Sequence, residues 1–140
     1  PTILDYRNHI KEGSMLNTPP VFAIYVCMLT LQWLKTQGGV AAIEKLNNEK
    51  AALLYAAIDD NPLFTGTVNA TDRSKMNVCF VMNDSSLEES FLQFTKEQGI
   101  VGIKGHRLVG GFRASLYNAL PLSSVEVLAQ LMKEFALQNA

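Results

Sequence analysis

The chain has 140 residues, enough for one domain with a hydrophobic core of its own. Hydrophobic residues make up 48% and charged residues 18%, a composition that excludes an intrinsically disordered protein. With 12 basic and 13 acidic side chains the formal net charge is −1, so no global field draws the chain to nucleic acid or to an anionic membrane. Any anion-binding site must therefore be local.

Three sequence features predict the cellular compartment of the chain, its relation to membranes and whether it is part of a longer protein. Cys27 and Cys79 lie far apart with no companion at a metal-binding spacing, which predicts reduced thiols in the cytoplasm and neither a disulfide framework nor a metal site. The longest apolar run, Val21 to Leu29, is far shorter than the roughly 20 residues that span a bilayer, so we expect a soluble protein. A first residue of Pro1 with no signal segment after it suggests a piece of a longer protein.

The first part of the chain is predicted to be a helical arm. Leu4 to Tyr6 reads as a short extended segment, and a helix then opens at Asn17–Pro20, with Thr18 as a possible cap, and stops at Gly38–Gly39. Val21 to Leu29 would be apolar on every face of this helix. Such a helix must be covered all round, so we expect another polypeptide or another part of the same protein to cover it.

The remainder predicts a compact unit of helices and strands. In chain order we expect a helix at Val40–Asp59, a strand at Ser74–Met82, a helix from the capping boxes of Ser85 and Ser86 to Gly99, strands at Ile100–Lys104 and Phe112–Tyr117, and a last helix from Ser123. This order favours an α/β (α+β) fold: a small antiparallel or mixed sheet with helices packed on it. The expected boundaries are an arm at 1–39 and a domain at 40–140.

The densest polar cluster lies in Lys104–Arg113. It holds two of the chain's four arginines, Arg107 and Arg113, with His106 and three glycines. Arginine matches the paired oxygens of carboxylates and phosphates, and glycines let the backbone approach an anion. If Arg113 points inward from a strand, its buried charge needs an anionic partner. The cluster therefore predicts a site for a small anion, and the alternative is a charged hairpin turn whose side chains are solvated.

A second candidate site is the helix start at Asn17–Pro20. The amide of Asn17, the hydroxyl of Thr18 and the free N–H groups of the first turn could bind a phosphate. The alternative is that these residues form only a helix cap. His9 has no partner at a recognisable spacing and is predicted to lie at the surface.

Two long motifs carry a resemblance to a known family. Residues Gly13–Phe22 and Lys104–Ala119 resemble the phosphoserine aminotransferases, and three shorter segments between them agree: Trp33–Lys35, Gly38–Val40 and Met76–Val78. The resemblance covers nearly the whole chain but corresponds only to the C-terminal part of such an enzyme. It implies an arm and linking helix from the large cofactor-binding domain, followed by the C-terminal small aminotransferase domain.

The resemblance also implies an activity and residue roles. The family is a homodimeric, pyridoxal-phosphate (PLP) dependent transaminase that acts on O-phospho-L-serine, glutamate and their 2-oxo acids, in serine and often pyridoxine biosynthesis. Asn17 and Thr18 would bind the PLP phosphate of the partner subunit, Arg113 the substrate α-carboxylate, and His106 and Arg107 the substrate phosphate or distal carboxylate. The Schiff-base lysine has no counterpart in this chain. We therefore expect no catalytic residue here and no activity from these residues alone.

Two other hypotheses remain open from the sequence. The chain could be a free-standing module that senses a small anion through His106, Arg107 and Arg113. It could also be an interaction domain held by the helix at residues 19–37.

Overall fold

The computed structural model describes residues 1–139. The chain divides into two compact units, Pro1–Val40 and Ala41–Ala140. In the first unit a 3₁₀ turn at Thr2–Leu4 precedes helices α1 (Tyr6–Lys11) and α2 (Val21–Thr36). No helix among the described residues is long and apolar enough to cross a membrane.

The start of the first unit differs from the prediction. Of the predicted extended segment, Leu4 to Tyr6, only Asp5 has an extended backbone. Its carboxylate caps α1 by accepting the N–H of Arg7 at 3.0 Å. An extended residue with an acceptor side chain is the usual geometry of a helix N-cap, which the sequence pattern did not reveal. His9 is half-buried and its Nε2 lies 2.7 Å from the carbonyl oxygen of Ile3, so it has a local partner.

Helix α2 is apolar on all faces, as predicted, but it is capped differently. Its N-cap is Pro20, and no side chain caps it, so the prediction of Thr18 as the cap is wrong. Two prolines separate Thr18 from the first helical turn, which places its hydroxyl upstream of the N-cap position. Every residue from Val21 to Trp33 is exposed.

The second unit contains a three-stranded antiparallel sheet and most of the long helices. Helix α3 (Gly39–Asp59) begins in the last two residues of the first unit and continues into the second. The elements that follow it are β1 (Phe64–Gly66), β2 (Asn77–Met82), α4 (Glu88–Glu97), β3 (Phe112–Ser115) and α5 (Leu122–Asn139). The strand order is β1-β2-β3. The fold class predicted from the sequence, a small sheet with packed helices, is confirmed.

Three details of this unit correct the prediction. Strand β1 was missed, because only a short segment pairs with the end of β2. Residues 100–104 are not a strand: Lys104 alone forms a bridge, with Phe112. The capping boxes at Ser85 and Ser86 are also wrong, since Asp84 accepts the N–H of Ser86 at 2.9 Å and a 3₁₀ turn leads into α4.

The core of the second unit is built around aromatic rings. Five phenylalanines are in mutual contact, with ring centroids 5.0 to 5.7 Å apart: Phe64, Phe80, Phe91, Phe112 and Phe135. They come from three strands and two helices, and edge-to-face contacts dominate, which is the arrangement that aromatic quadrupoles prefer. Because Phe80 and Phe112 are paired residues of β2 and β3, this core fixes which face of β3 is buried.

Candidate functional site

The connection that carries His106 and Arg107 is closed at its base by backbone hydrogen bonds. Gly105 N–H donates to the carbonyl of Gly111 at 2.8 Å, and Arg113 N–H donates to the carbonyl of Ile103 at 2.8 Å. These two bonds flank the bridge between Lys104 and Phe112. Residues 106–110 therefore form a short loop on a defined base, next to the edge strand β3.

Two glycines at the base of this loop are required by close packing. A Cβ at Gly105 would collide with the carbonyl oxygens of Gly110 and Gly111. Gly111 has a positive φ of 61°, and a Cβ there would lie 2.8 Å from the carbonyl oxygen of Phe80. Because glycine has no Cβ, the loop can fold back on itself at Gly105 and lie against β2 at Gly111. Any other residue at either position would bring its Cβ too close to a backbone carbonyl oxygen.

Within the loop, His106 organises the backbone. Its carbonyl accepts the N–H groups of Val109 at 2.8 Å and Gly110 at 2.9 Å, and its Nδ1 accepts the N–H of Leu108 at 3.3 Å. Because Nδ1 is an acceptor, the proton of the neutral ring is on Nε2. The exposed ring therefore presents an N–H donor, as a site for an anion requires.

Arg113 does not point into the core. It alternates along β3 with the buried Phe112 and Ala114, and its side chain is exposed on the opposite face of the sheet. The inward, desolvated orientation considered from the sequence is wrong, because the aromatic core takes the other face of the strand. The charge of Arg113 is instead solvated and accessible to a ligand.

Neither arginine of the cluster is neutralised within the described part of the chain. The ion pairs of residues 1–139 are Arg7–Asp5, Lys45–Glu49, Arg73–Asp59 and Lys104–Glu89. Arg107 and Arg113 are in none of them, and both are exposed. The structure thus places the three predicted anion-binding residues on one loop and the strand that follows it, each open to solvent.

Asn17 and Thr18 belong to the first unit and are considered by themselves. Both are exposed, and they immediately precede the prolines that begin α2. The first turn of α2 carries no acidic residue, and its first backbone bond of helical spacing runs from Ile24 N–H to the carbonyl of Pro20 at 3.1 Å. The N–H groups of Phe22 and Ala23 therefore lie in the turn that has no acceptor within the helix.

Comparisons with known proteins identify the family. The family model described as aminotransferase class-V matches residues 2–128. This chain belongs to that family. A phosphoserine aminotransferase from Flavobacterium johnsoniae is 60% identical over 133 residues, which cover 95% of this chain and 37% of that protein. One from Parabacteroides distasonis is 60% identical over 141 residues, covering 99% of this chain and 40% of that protein.

Solved structures agree with this assignment to the class-V aminotransferases. A phosphoserine aminotransferase from Bacillus circulans subsp. alkalophilus superposes with a TM-score of 0.90 at 41% identity, over all of this chain and 39% of that one. A PLP-bound phosphoserine aminotransferase from Trichomonas vaginalis gives a TM-score of 0.83 at 42% identity, over 95% of this chain and 38% of that one. The resemblance seen in the two sequence motifs is confirmed, and the alternative of a free-standing sensor finds no support. The chain spans about two fifths of the length of the curated relatives it matches.

The residues around Asn17 fit the phosphate end of PLP, the cofactor of the class-V aminotransferases. An amide, a hydroxyl and the unpaired N–H groups at the start of a 16-residue helix form a donor set that matches a phosphate dianion. No carboxylate in the first turn opposes it.

Proposed function

We propose that these residues are the C-terminal part of a PLP-dependent phosphoserine transaminase. The complete enzyme would exchange an amino group between O-phospho-L-serine with 2-oxoglutarate and 3-phosphohydroxypyruvate with L-glutamate. The observation that carries this proposal is the exposed, unpaired cluster of His106, Arg107 and Arg113 in a chain that is 60% identical to phosphoserine aminotransferases. Serine biosynthesis, and in some organisms pyridoxine biosynthesis, is the corresponding metabolic role.

The cluster suits both substrates of this reaction. Phosphoserine and glutamate each carry an α-carboxylate and a second anionic group at the far end of the side chain. Arg113 would bind the α-carboxylate through two parallel N–H bonds, because a guanidinium matches the two carboxylate oxygens. Arg107 and the Nε2–H of His106 would bind the phosphate or the distal carboxylate.

The cofactor would be held from the other unit of the chain. Asn17, Thr18 and the first-turn N–H groups of α2 would bind the PLP phosphate of the partner subunit in a cytoplasmic homodimer. When bound, PLP supplies the electron sink that labilises the Cα–H bond of the amino acid. The residues of this chain would contribute binding and orientation, and the domain boundaries of 1–39 and 40–140 would separate the cofactor-binding arm from the substrate-binding domain.

The test is steady-state kinetics of the complete enzyme with phosphoserine and 2-oxoglutarate, followed as glutamate formation. Arg113→Lys is expected to raise the KM of both substrates by about tenfold or more, because a point charge cannot replace a bidentate fork. Arg7→Lys is the matched control, since Arg7 is exposed and within residues 1–139 forms an ion pair only with the nearby Asp5. Absence of transamination by the complete wild-type enzyme would overturn the proposed function, and an unchanged KM in Arg113→Lys would overturn the role of Arg113.

A second experiment separates the enzyme from the sensor. The 140-residue chain by itself is expected to be inactive and to bind phosphoserine weakly in calorimetry, because the Schiff-base lysine is expected elsewhere in the complete enzyme. Tight binding of phosphoserine by the chain in isolation would instead favour the free-standing anion sensor.

A further inference from the structure

Lys50 is a buried cation in the middle of helix α3. Its residue is fully buried, and its Nζ donates to the carbonyl oxygens of Leu116 at 3.1 Å, Tyr117 at 2.9 Å and Leu120 at 3.1 Å. An ammonium has three N–H groups, and each has an acceptor here. Burial lowers the pKa of Lys50. The sequence had a signal for this residue: a lysine at an apolar position of a helix.

The geometry shows that Lys50 does not act on a ligand directly. All its donors are used within the fold, and it is in none of the ion pairs of residues 1–139. What it binds is the segment 116–120, which leaves the end of strand β3. One turn earlier on α3, Asn47 donates its amide N–H to Oδ1 of Asn118 at 2.9 Å, in the same segment. We call the contacts of Lys50 and Asn47 with residues 116–120 the α3 clamp.

The α3 clamp lies at the end of the strand that carries Arg113. Strand β3 is an edge strand of four residues, and after it Leu116 N–H makes a last bond to the carbonyl of Met76 at 2.7 Å. A strand of four residues, with β2 on one side and only the short pairing with residues 103–105 on the other, has few bonds to hold its register, and a shift of one residue would turn Arg113 toward the core. The α3 clamp holds Leu116 and the residues after it in place, and so it opposes such a shift.

We propose that Lys50 is a positioning residue for Arg113, acting through the α3 clamp to hold β3 in the register that presents Arg113 to the substrate. This inference rests on the proposed function of Arg113. Losing the ammonium leaves three buried or half-buried carbonyls without their donor, so the segment 116–120 must move to reach other donors.

The test compares Lys50→Met with Lys45→Met in the complete enzyme, below the melting temperature of either variant. Lys45 lies on the same helix and is exposed, and its one ion pair among residues 1–139 is a 4.0 Å contact with Glu49. We expect Lys50→Met to raise the KM of both substrates about tenfold with a smaller change in kcat, because misplacement of a binding group is costly. Hydrogen exchange of the peptide that spans residues 112–117 should accelerate in the same variant, and Lys45→Met should match the wild type in both measurements.

A double mutant separates this inference from the proposed function. If Lys50 acts through Arg113, Lys50→Met adds little to the KM already raised by Arg113→Lys. Additive effects of the two changes, or an unchanged KM in folded Lys50→Met while Arg113→Lys raises it, would overturn the inference and leave the function intact. If Lys50→Met fails to fold, Lys50→Gln and Asn47→Ala carry the same test, with smaller expected increases and the same disproof.

Discussion

Arg113 on β3 lies directly opposite Cys79 on β2. The N–H of Arg113 points away from β2, to the carbonyl of Ile103, so the two residues form a non-hydrogen-bonded pair. In such a pair the side chains are at their closest, on the same face of the sheet. Cys79 is therefore the residue of β2 that directly faces the proposed substrate-binding arginine.

This relationship predicts the effect of a charge at position 79. In the complete enzyme, Cys79→Glu is expected to raise the KM of both substrates by about fivefold or more, because a carboxylate opposite Arg113 competes with the substrate for the guanidinium. Steady-state kinetics at low ionic strength measure the effect. Cys79→Gln has nearly the same size without the charge and should stay close to the wild type. Equal KM values for the two variants would contradict a role of Arg113 in carboxylate binding.

The glycines of the loop predict a graded loss of stability. At Gly110 φ is +78° and a Cβ would meet nothing within 4 Å. Gly110→Ala should therefore lower the free energy of unfolding only by the strain of a left-handed backbone at alanine, about 1–2 kcal/mol. Gly111→Ala adds a contact at 2.8 Å with the carbonyl of Phe80 and should cost more. Urea unfolding of the two variants measures the order. A larger loss for Gly110→Ala would show that the loop does not pack against β2 as described.

Much of the fold was predictable because its periodic patterns are strong. Helices α3 and α5 follow from their apolar spacing, and α2 from the prolines before it and the glycines after it. Strand β2 follows from its apolar residues at every second position, which the structure buries. Strand β1 was missed because three residues give no period, and its pairing depends on contacts distant in sequence. Segment 100–104 has a strand composition, but only its last two residues pair with β3: Lys104 forms a bridge with Phe112, and the carbonyl of Ile103 accepts the N–H of Arg113.

The candidate site was predictable by residue type and less so by geometry. Three cationic or imidazole groups beside glycines indicate an anion site whatever the fold. The direction of Arg113 could not be predicted, because it depends on which residues of β3 the aromatic core selects. The helical spacing of α3 puts Lys50 in line with its apolar residues, but the three acceptors of Lys50 come from a segment about 70 residues later in the sequence, which spacing does not reveal.

The pair of Asp59 and Arg73 predicts an acid-dependent stability. Arg73 donates to both carboxylate oxygens of Asp59, at 2.6 and 2.7 Å, and its guanidinium lies 4.5 Å from the ring centroid of Tyr55. The hydrogen bonds from Arg73 lower the pKa of Asp59 below 3.8. A carboxyl group whose pKa is lowered by folding stabilises the folded state when the pH is above the ordinary carboxyl pKa. This contribution disappears as the pH falls through the lowered pKa.

Asp59→Asn is therefore expected to lower the free energy of unfolding at pH 7 by about 0.5–1 kcal/mol, a small value because the carboxylate is half-exposed. The difference from the wild type should begin to shrink as the pH falls below 3.8, where Asp59 of the unfolded state takes up a proton, and should disappear below the lowered pKa of the folded state. Urea unfolding at pH 7 and pH 3 measures it, with Asp60→Asn as the exposed neighbour outside any ion pair of residues 1–139. A difference that persists unchanged at pH 3 would refute the electrostatic origin.

The apolar surface of α2 predicts that the 140-residue chain self-associates when it is produced by itself. Phe22 is 81% exposed and Leu31 is 58% exposed, on a helix with no buried residue. Apolar area of this extent on one helix is removed from water by association. Replacing both residues with Gln should weaken the association by about tenfold or more, since each large apolar side chain contributes about 1.5–3 kcal/mol when buried. Light scattering over a concentration series measures the apparent mass and hence the association.

The control is Val101→Gln, a similarly exposed apolar position in the second unit, which should leave the association unchanged. A wild-type chain that stays monomeric at all concentrations would show that α2 covers its apolar faces by some local rearrangement.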